Sequence, residues 1–326
     1  MNYPSSFNGK RDQLVCLASG CLVFLISLVV FQHYTKGDQY AYTNAYQMVS
    51  GLGFGDPLEV IRLVYWSYVS SIEPVHLMVS LVGGGLDISK NLLMSVFNGI
   101  LAAYSVRLFL SWGASIWIAT GLVVTNYYFY VLYFPAERLK FAFLFLVLMF
   151  LCTKNRLYRV LFALMSVLSH FSFLFIYLGI WVSCIPNELL KWKHLDYSIL
   201  ILPPLAMGVL WFSDGEYILW KVNQYLQPSG SQSVYAFLPV TLLLTFSCMY
   251  AKRKWEPLLA FLPVLVGVVL LGGSRLNMIG FFIFLYFGMQ TKGGLNVGMI
   301  GLMVYFCYKT VGFLESIYLY NDGFVR

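Results

Sequence analysis

The sequence predicts an all-α, polytopic integral membrane protein with about ten transmembrane helices and one or two broken or re-entrant segments. Of the 326 residues, 60% are hydrophobic and only 11% are charged, whereas about 25% of the residues of a typical soluble domain are charged. The apolar residues form runs, most of which approach the roughly 17–25 residues that a membrane-spanning helix needs. We therefore expect residues 1–326 to form a single polytopic membrane domain.

Ten apolar runs follow one another along the chain, and we expect each of them to be helical. They cover residues 14–32, 91–110, 115–133, 139–153, 157–184, 196–213, 234–251, 256–271, 276–290 and 295–311. A further run, 74–86, is too short to span a bilayer and ends in three glycines. The run 157–184 is too long for one upright helix and carries His170 near its middle, so we expect a break there.

Basic residues in the loops predict the orientation, because cytoplasmic loops of membrane proteins carry an excess of Lys and Arg. The basic loop residues are Lys10, Arg11, Lys154, Arg156, Arg159, Lys191, Lys193, Lys252, Arg253, Lys254 and Lys292. All of them are cytoplasmic if 74–86 enters and leaves the same face and 157–184 forms two half-helices. The N-terminus is then cytoplasmic, and the larger loops 33–73 and 213–233 lie outside together with the C-terminus.

Three arginines, Arg62, Arg138 and Arg275, fall on the external face against this charge trend. Arg138 and Arg275 also lie at the mouths of apolar runs, and Lys140 follows Arg138 in the link PAERLK. One interpretation is that long cationic side chains at helix ends reach the lipid headgroups. The other is that Arg138, Arg275 and Lys140 bind the phosphate oxygens of a substrate, which match the fork of a guanidinium group.

His170 lies in the stretch LSHFSFLF, at the centre of the long run 157–184. A lone histidine in a protein core is often a satisfied structural residue. Inside a membrane, an ionisable side chain is costly and is by default functional. An unperturbed pKa of about 6.5 suits a base or a group that orients a phosphate. We therefore treat His170 as a candidate catalytic residue.

The stretch GDQYAYTNAYQ (37–47) places Asp38 beside Tyr40, Tyr42 and Tyr46. Asp38, Tyr42 and Tyr46 are spaced four residues apart, so they share one face of a helix. One interpretation is an aromatic belt at the membrane interface. The other is a sugar platform, in which rings stack on the C–H surface of a sugar and Asp38 accepts hydrogen bonds from its hydroxyls.

Glu73 precedes Pro74 in the stretch SIEP, where the short run 74–86 begins. The helix dipole stabilises a carboxylate at this position, and proline suits the first turn of a helix. Alternatively, Glu73 reaches the same site as the arginines and polarises an attacking hydroxyl, because general-base assistance contributes roughly 10²–10⁴ in rate. Both interpretations remain open at this point.

No motif indicates a nucleotide, a metal or another cofactor. The stretches GLGFGD (51–56) and GGG (83–85) do not follow a strand in a βαβ unit, as a dinucleotide-binding loop does. Walker, HExxH, zinc-type Cys/His and closely spaced Asp-x-Asp patterns are absent from the sequence. No Lys/Arg cluster exceeds three residues, so the net charge of +7 does not indicate nucleic-acid binding. We expect neither a cofactor nor a nucleic-acid partner, and a donor that is already activated and membrane-borne.

Five short motifs occur in order along the chain. They are Asp38, Tyr42 and Tyr46 after the first run; Glu73 with Pro74; Arg138 opening a run; Ser169, His170 and Ser172; and Gly273 to Leu276 with the sequence GSRL. Their order and spacing resemble the EpsG-like, Wzy-type bacterial polysaccharide polymerases over most of the chain.

The resemblance implies a GT-C-like glycosyltransferase in the bacterial inner membrane, with an active site that faces the periplasm. Such an enzyme joins undecaprenyl-diphosphate-linked repeat units into O-antigen or another surface polysaccharide without a metal. The implied partners are the lipid-linked glycan donor and acceptor, the bilayer and a chain-length regulator protein. The candidate catalytic residues are Glu73, His170 and Asp38, and the candidate substrate-binding residues are Arg138, Arg275, Lys140, Tyr42, Tyr46 and Tyr40.

Two other functions of the same envelope pathway remain open. A lipid-linked oligosaccharide flippase or another transporter would share the many spans and the broken helices. Transporters commonly contain internal repeats, and none is visible in this sequence. An envelope-polysaccharide ligase or a multispan acyltransferase could also use a histidine with a nearby carboxylate.

Overall fold

The computed structural model describes residues 9–52, 56–71, 73–152, 155–189, 208, 237–271 and 273–324. The elements within these ranges are helices, which confirms the predicted all-α class. They are α1 (Gly9–His33), α2 (Asp38–Ser50), α3 (Leu58–Val69), α4 (Pro74–Gly85), α5 (Lys90–Ser111), α6 (Ile116–Thr125), α7 (Tyr127–Tyr133), α8 (Glu137–Leu151), α9 (Arg156–Ser169), α10 (Phe173–Leu189), α11 (Phe237–Tyr250), α12 (Trp255–Leu271), α13 (Gly273–Met289), a 3-10 turn (Lys292–Gly294) and α14 (Val297–Tyr320).

The described helices include three that are long and apolar enough to cross a membrane: α1, α5 and the segment Lys292–Tyr320. The pair α6 and α7, bent by 53°, adds a fourth if it counts as one span. The expected number of about ten spans is thus not confirmed within the described ranges. Many apolar runs form shorter helices: the 15 residues of α8 extend over only about 22 Å, whereas a bilayer core is about 30 Å thick.

Helices α1 and α5 form the most extensive helix pair of the described structure. Gly20 and Gly99 let the two backbones approach closely, because a Cβ atom on Gly20 would lie 2.8 Å from Gly99 O. Asn98 Nδ2 also donates to Ser27 Oγ at 3.0 Å. These contacts align the helices antiparallel, so the beginning of α1 lies beside the end of α5.

The link between α6 and α7 is a break at Asn126, whose backbone is extended (φ −84°, ψ 130°). Asn126 Oδ1 accepts from Tyr128 N at 2.9 Å and caps α7. Thr310 Oγ1 of α14 donates to Thr125 O at 2.8 Å. Side chains thus satisfy backbone groups that the bend frees, as non-helical backbone at membrane depth requires.

The predicted break near His170 is confirmed. Helix α9 ends at Ser169, His170 has extended backbone angles (φ −163°, ψ 119°), and α10 begins at Phe173. Ser166 and Tyr177 form a hydroxyl–hydroxyl hydrogen bond of 2.6 Å across the break. The two helices contact each other near this break, and α10 then packs mainly against α12, so His170 lies at the junction of α9 and α10.

The segment 33–73, which the sequence predicts to be an external loop, contains the helices α2 and α3. The run 74–86 forms α4, a single helix of 12 residues, so it is not itself a re-entrant hairpin with two limbs. Gly83 and Gly84 let α4 approach its neighbours closely: a Cβ on Gly83 would lie 2.5 Å from Tyr46 Oη, and one on Gly84 would overlap Ser50.

Several basic loop residues lie at one end of the bundle. Ser115 N donates to Gly293 O at 2.8 Å, which joins the α5–α6 link to the 3-10 turn that carries Lys292. The residue before this turn is hydrogen-bonded to the last residue of α11, directly before the basic cluster 252–254. Lys154, Lys191, Lys193 and the loop 213–233 lie outside the described residues.

The two candidate arginines lie at the opposite end. The Trp112 and Phe150 rings, 5.8 Å apart, join the end of α5 to the end of α8, close to Arg156. Arg138 is at the other end of α8, and Arg275 is in the first turn of α13, whose last residues lead into the 3-10 turn. Within the described residues, these basic loops therefore lie at the end opposite Arg138 and Arg275.

Candidate functional site

A cavity of about 420 Å³ lies where α2, α7, α8, α13 and α14 converge. This volume is within the range of about 300–1,000 Å³ that small-molecule sites occupy. Its lining residues are Asp38, Tyr42, Tyr127, Tyr128, Val131, Pro135, Ala136, Arg138, Leu139, His170, Arg275, Asn277, Met278, Lys309 and Phe324. The structure thus brings Asp38, Tyr42, Arg138, His170 and Arg275 together, although they are far apart in the chain.

Arg138 is held in position by two side chains. Its Nη1 lies 2.6 Å from Glu73 Oε2, and its Nε donates to Tyr42 OH at 3.3 Å. Glu73 is buried at the start of α4, where Ser71 Oγ also donates to Oε2 at 3.0 Å. Glu73 lies behind Arg138 and is not part of the cavity lining. Its contacts fit a residue that orients the guanidinium group better than one that meets a substrate hydroxyl.

His170 reaches the cavity because α9 and α10 meet there. Its Nδ1 accepts from Ser172 N at 3.3 Å, lies 2.9 Å from Ser172 Oγ and is 3.8 Å from Glu73 Oε1. Acceptance of the backbone N–H at Nδ1 assigns the proton of a neutral imidazole to Nε2. The break between the helices thus fixes both the position and the tautomer of this side chain.

Asp38 and Arg275 form the more exposed part of the cavity. Asp38 is the first residue of α2 and follows Gly37, whose φ of 59° is readily accessible to glycine. Partial burial raises the pKa of Asp38, and the positive charges of Arg275 and Arg138 oppose that rise. The carboxylate and the two guanidinium groups therefore influence one another electrostatically across the cavity.

Three of the predicted site residues lie elsewhere. Lys140 is fully buried, and its Nζ donates to Asn98 Oδ1 at 2.7 Å instead of facing the cavity. Two residues along a helix correspond to a rotation of about 200°, so Lys140 and Arg138 point to different sides of α8. Tyr46 is buried and donates to Ile88 O at 2.6 Å, and Tyr40 is 65% exposed. The shared face of α2 extends to the cavity only through Asp38 and Tyr42.

Directly behind the cavity lies a buried polar network that the sequence analysis did not identify. We call Gln39, Tyr65, His76, Lys90 and Glu137 the buried network. Glu137 is fully buried, and its carboxylate lies 2.9 Å from His76 Nε2, 3.0 Å from Lys90 Nζ and 2.8 Å from Gln39 Nε2. His76 Nδ1 is 2.8 Å from Tyr65 OH. The network joins α2, α3, α4, α5 and α8 beside Arg138.

The signal for this network was present in the sequence. His76 lies inside the short apolar run 74–86, just as His170 lies inside a longer one. The rule that ionisable residues at membrane depth are rare and paired applies equally to both. Glu137 lies in the link PAERLK beside Arg138 and was not singled out, although a charged residue next to an apolar run needs partners if it is buried.

Lys309 is a further cavity residue that the sequence analysis did not identify. It is the lysine within the apolar run 295–311 and lies about midway along α14. Its Nζ is 5.1 Å from the Tyr127 ring centroid and 5.6 Å from that of Tyr305. A central cation in a membrane helix costs roughly 2.5–3.5 kcal/mol. Each cation–π contact contributes roughly 0.5–2 kcal/mol, so the two rings together offset a cost of roughly 1–4 kcal/mol.

The cavity can hold a multiply charged anion beside a group that transfers protons. Arg138, Arg275 and Lys309 supply three cations, and guanidinium groups suit phosphate oxygens. Asp38 supplies one carboxylate, and His170 supplies an imidazole, a group that can accept or donate a proton. No protein-family model, curated protein or solved structure matches the chain.

Proposed function

We propose that the protein is a membrane glycosyltransferase that polymerises lipid-linked oligosaccharides. It joins undecaprenyl-diphosphate-linked repeat units on the periplasmic face of the bacterial inner membrane to build O-antigen or another surface polysaccharide. The observation that carries this proposal is the cavity in which Arg138, Arg275 and Lys309 converge with Asp38 and His170. The sequence resemblance to Wzy-type polymerases supports it independently.

The proposed reaction transfers the growing glycan from its lipid diphosphate to a new repeat unit. An acceptor hydroxyl oxygen forms a bond with the anomeric carbon of the donor, and the bond from that carbon to the diphosphate breaks. The electron pair of the broken bond leaves with the diphosphate, and the hydroxyl proton passes to a base. Asp38 and His170 are the candidate bases because both line the cavity.

In this proposal the cations of the cavity stabilise the departing diphosphate. Negative charge grows on the diphosphate in the transition state, and fixed donors that face this charge lower the barrier. Arg138 is fixed in advance by Glu73 and Tyr42, so little reorganisation is needed during reaction. In this proposal Glu73 positions Arg138, and Tyr42 and Tyr128 offer ring surfaces for the sugars.

The charge distribution supports a periplasmic active site. Most of the basic loop residues of the described chain cluster at the end of the bundle opposite Arg138 and Arg275, whereas Lys36 lies at the other end. Under the positive-inside rule the clustered end is cytoplasmic. Nucleotide sugars are absent from the periplasm, which agrees with a donor that carries its own diphosphate in the membrane.

The test is gene deletion followed by electrophoresis of the surface glycan. Loss of a polymerase leaves single-repeat product and removes the ladder of longer chains, and complementation with the intact gene restores the ladder. Complete loss of the repeat would indicate a flippase. Long chains that remain on the lipid carrier would indicate a ligase, and an intact ladder without acyl groups would indicate an acyltransferase. Any of these last three results would refute the proposal.

A further inference from the structure

Lys309 lies where the cavity meets the outer surface of α14. Its side chain is exposed and also lines the cavity. The neighbouring residues Val304, Tyr305 and Tyr308 are 66%, 51% and 78% exposed. Exposed apolar and aromatic residues on a membrane-length helix form a lipid-facing surface. The cavity is therefore bordered by this surface at Lys309, halfway along a helix that is long enough to span the bilayer.

The cavity extends along the bundle from its end to this position. Phe324 and Asp38 line it beyond the last turn of α14, and Lys309 lies 11 residues before Tyr320, the end of that helix. At 1.5 Å per residue this is about 16 Å of depth. A ligand that occupied the full cavity would present one part at the bundle end and another at the level of the hydrocarbon core.

No side chain of opposite charge balances Lys309 within the described residues: none of the ion pairs among them involves it. This contrasts with Arg138 and Lys90, which contact Glu73 and Glu137. Tyr127 and Tyr305 attract the ammonium through their rings but supply no negative charge. An anionic ligand in the cavity would supply the negative charge that the two rings do not.

We propose that Lys309 binds a phosphate of the lipid-linked substrate, which enters the cavity sideways past α14. The identification of that lipid as a diphosphate donor or acceptor rests on the proposed function. Lateral entry keeps the isoprenoid tail in the bilayer while the charged headgroup moves into the cavity. Of these three cations, Lys309 lies next to the lipid-facing surface of α14, and Arg138 and Arg275 lie farther towards the bundle end.

The test measures binding of farnesyl diphosphate to the full-length protein in phosphatidylcholine nanodiscs. We expect Lys309→Met to weaken binding about tenfold, the loss that corresponds to one charge-assisted hydrogen bond. Lys309→Arg should restore most of the affinity because the charge is retained. Lys36→Met is the matched control. Lys36 lies beside Asn321, at the end of the bundle where the cavity begins, but does not line the cavity. The Lys36→Met variant should bind farnesyl diphosphate with the same affinity as the unmodified protein.

Thermal unfolding without ligand separates binding from folding. A Lys309 whose role was structural would lower the unfolding temperature when replaced, whereas a binding residue should leave it unchanged or raise it. Unchanged farnesyl diphosphate affinity in Lys309→Met, or a lower unfolding temperature in that variant, would overturn the inference. Equal competition by phosphatidylglycerol would also overturn it, because the phosphate would then belong to an ordinary lipid headgroup. A further outcome is that Lys309→Met binds farnesyl diphosphate more weakly while deletion of the gene leaves the glycan ladder intact. That combination would reject the proposed polymerase function and leave the phosphate site at Lys309 standing.

Discussion

Arg138 Nη1 lies 2.6 Å from Glu73 Oε2 across 65 positions of sequence. Both side chains are buried, and the pair joins the first turn of α8 to the start of α4. The adjacent residue, Glu137, points into the buried network instead. Two neighbouring residues of α8 therefore form opposite ion pairs on two sides of the helix, and only Arg138 also lines the cavity.

Replacing Arg138 by Lys tests the role of the guanidinium fork. The charge opposite Glu73 is preserved, so the protein should remain folded and at a normal level in the membrane. A point charge cannot bridge Glu73 and a substrate phosphate in the same way. We expect the rate of glycan polymerisation to fall roughly ten- to a hundredfold, the equivalent of one charge-assisted hydrogen bond. Arg62→Lys, outside the cavity, is the control, and equal rates in both variants would contradict the assignment.

Replacing Arg275 by Gln tests the electrostatic link to Asp38. The guanidinium group lowers the pKa of Asp38 by stabilising its carboxylate. Without it the carboxylate binds a proton more tightly, so the pKa of Asp38 rises further. If reaction requires ionised Asp38, the acidic limb of the pH–rate profile should move to higher pH. An acidic limb at the same pH in Arg275→Gln and Arg62→Gln would show that Asp38 does not control it.

The buried network predicts a large stability effect of Glu137→Gln. The substitution removes the carboxylate that faces Lys90 and His76, which are nearly inaccessible to solvent. Removal of one partner from a buried ion pair costs roughly 3–5 kcal/mol. We expect a clear decrease in the unfolding temperature of the purified protein in detergent. Glu315→Gln, at an exposed position of α14, should change it little, and similar values for both variants would argue against the network.

Helix α4 depends on close contact at Gly84. A Cβ atom there would overlap the side chain of Ser50 and lie 2.7 Å from its Cα. Gly84→Ala should therefore destabilise the protein by about 1–3 kcal/mol, as overpacking does. Gly301→Ala on α14 meets no atom within 4 Å and should be neutral or stabilising because alanine favours a helix. Thermal unfolding compares the two variants. An unfolding temperature of Gly84→Ala as high as that of Gly301→Ala would contradict the close contact at Gly84.

Composition and hydrophobic runs were sufficient to predict an all-α protein, because apolar surface of this extent must be buried or face lipid. The break at His170 also followed from the sequence, since a run of 28 residues with a central histidine exceeds one span. The number of spans did not follow. Hydropathy does not register where a helix bends, as at Asn126, or where it stops after 15 residues, as α8 does.

The candidate site was partly predictable for a similar reason. Arg138 and Arg275 were identified because their charge opposed the loop pattern, and both line the cavity. Lys140 was grouped with Arg138 by sequence distance alone, although a helix turns them to different sides. His76 and Lys309 were not singled out, although each is an ionisable residue in an apolar run, as His170 is. Only tertiary contacts show which groups surround them.

The position of Glu137 in the chain has a consequence for biosynthesis. His76 precedes its carboxylate partner by 61 residues, and Lys90 also leaves the ribosome before Glu137 is made. During translation the early helices therefore carry a histidine and a lysine whose counter-charge does not yet exist. These helices cannot reach their final arrangement as they emerge. Their assembly must wait for α8, so the N-terminal half matures as a cooperative unit and not helix by helix.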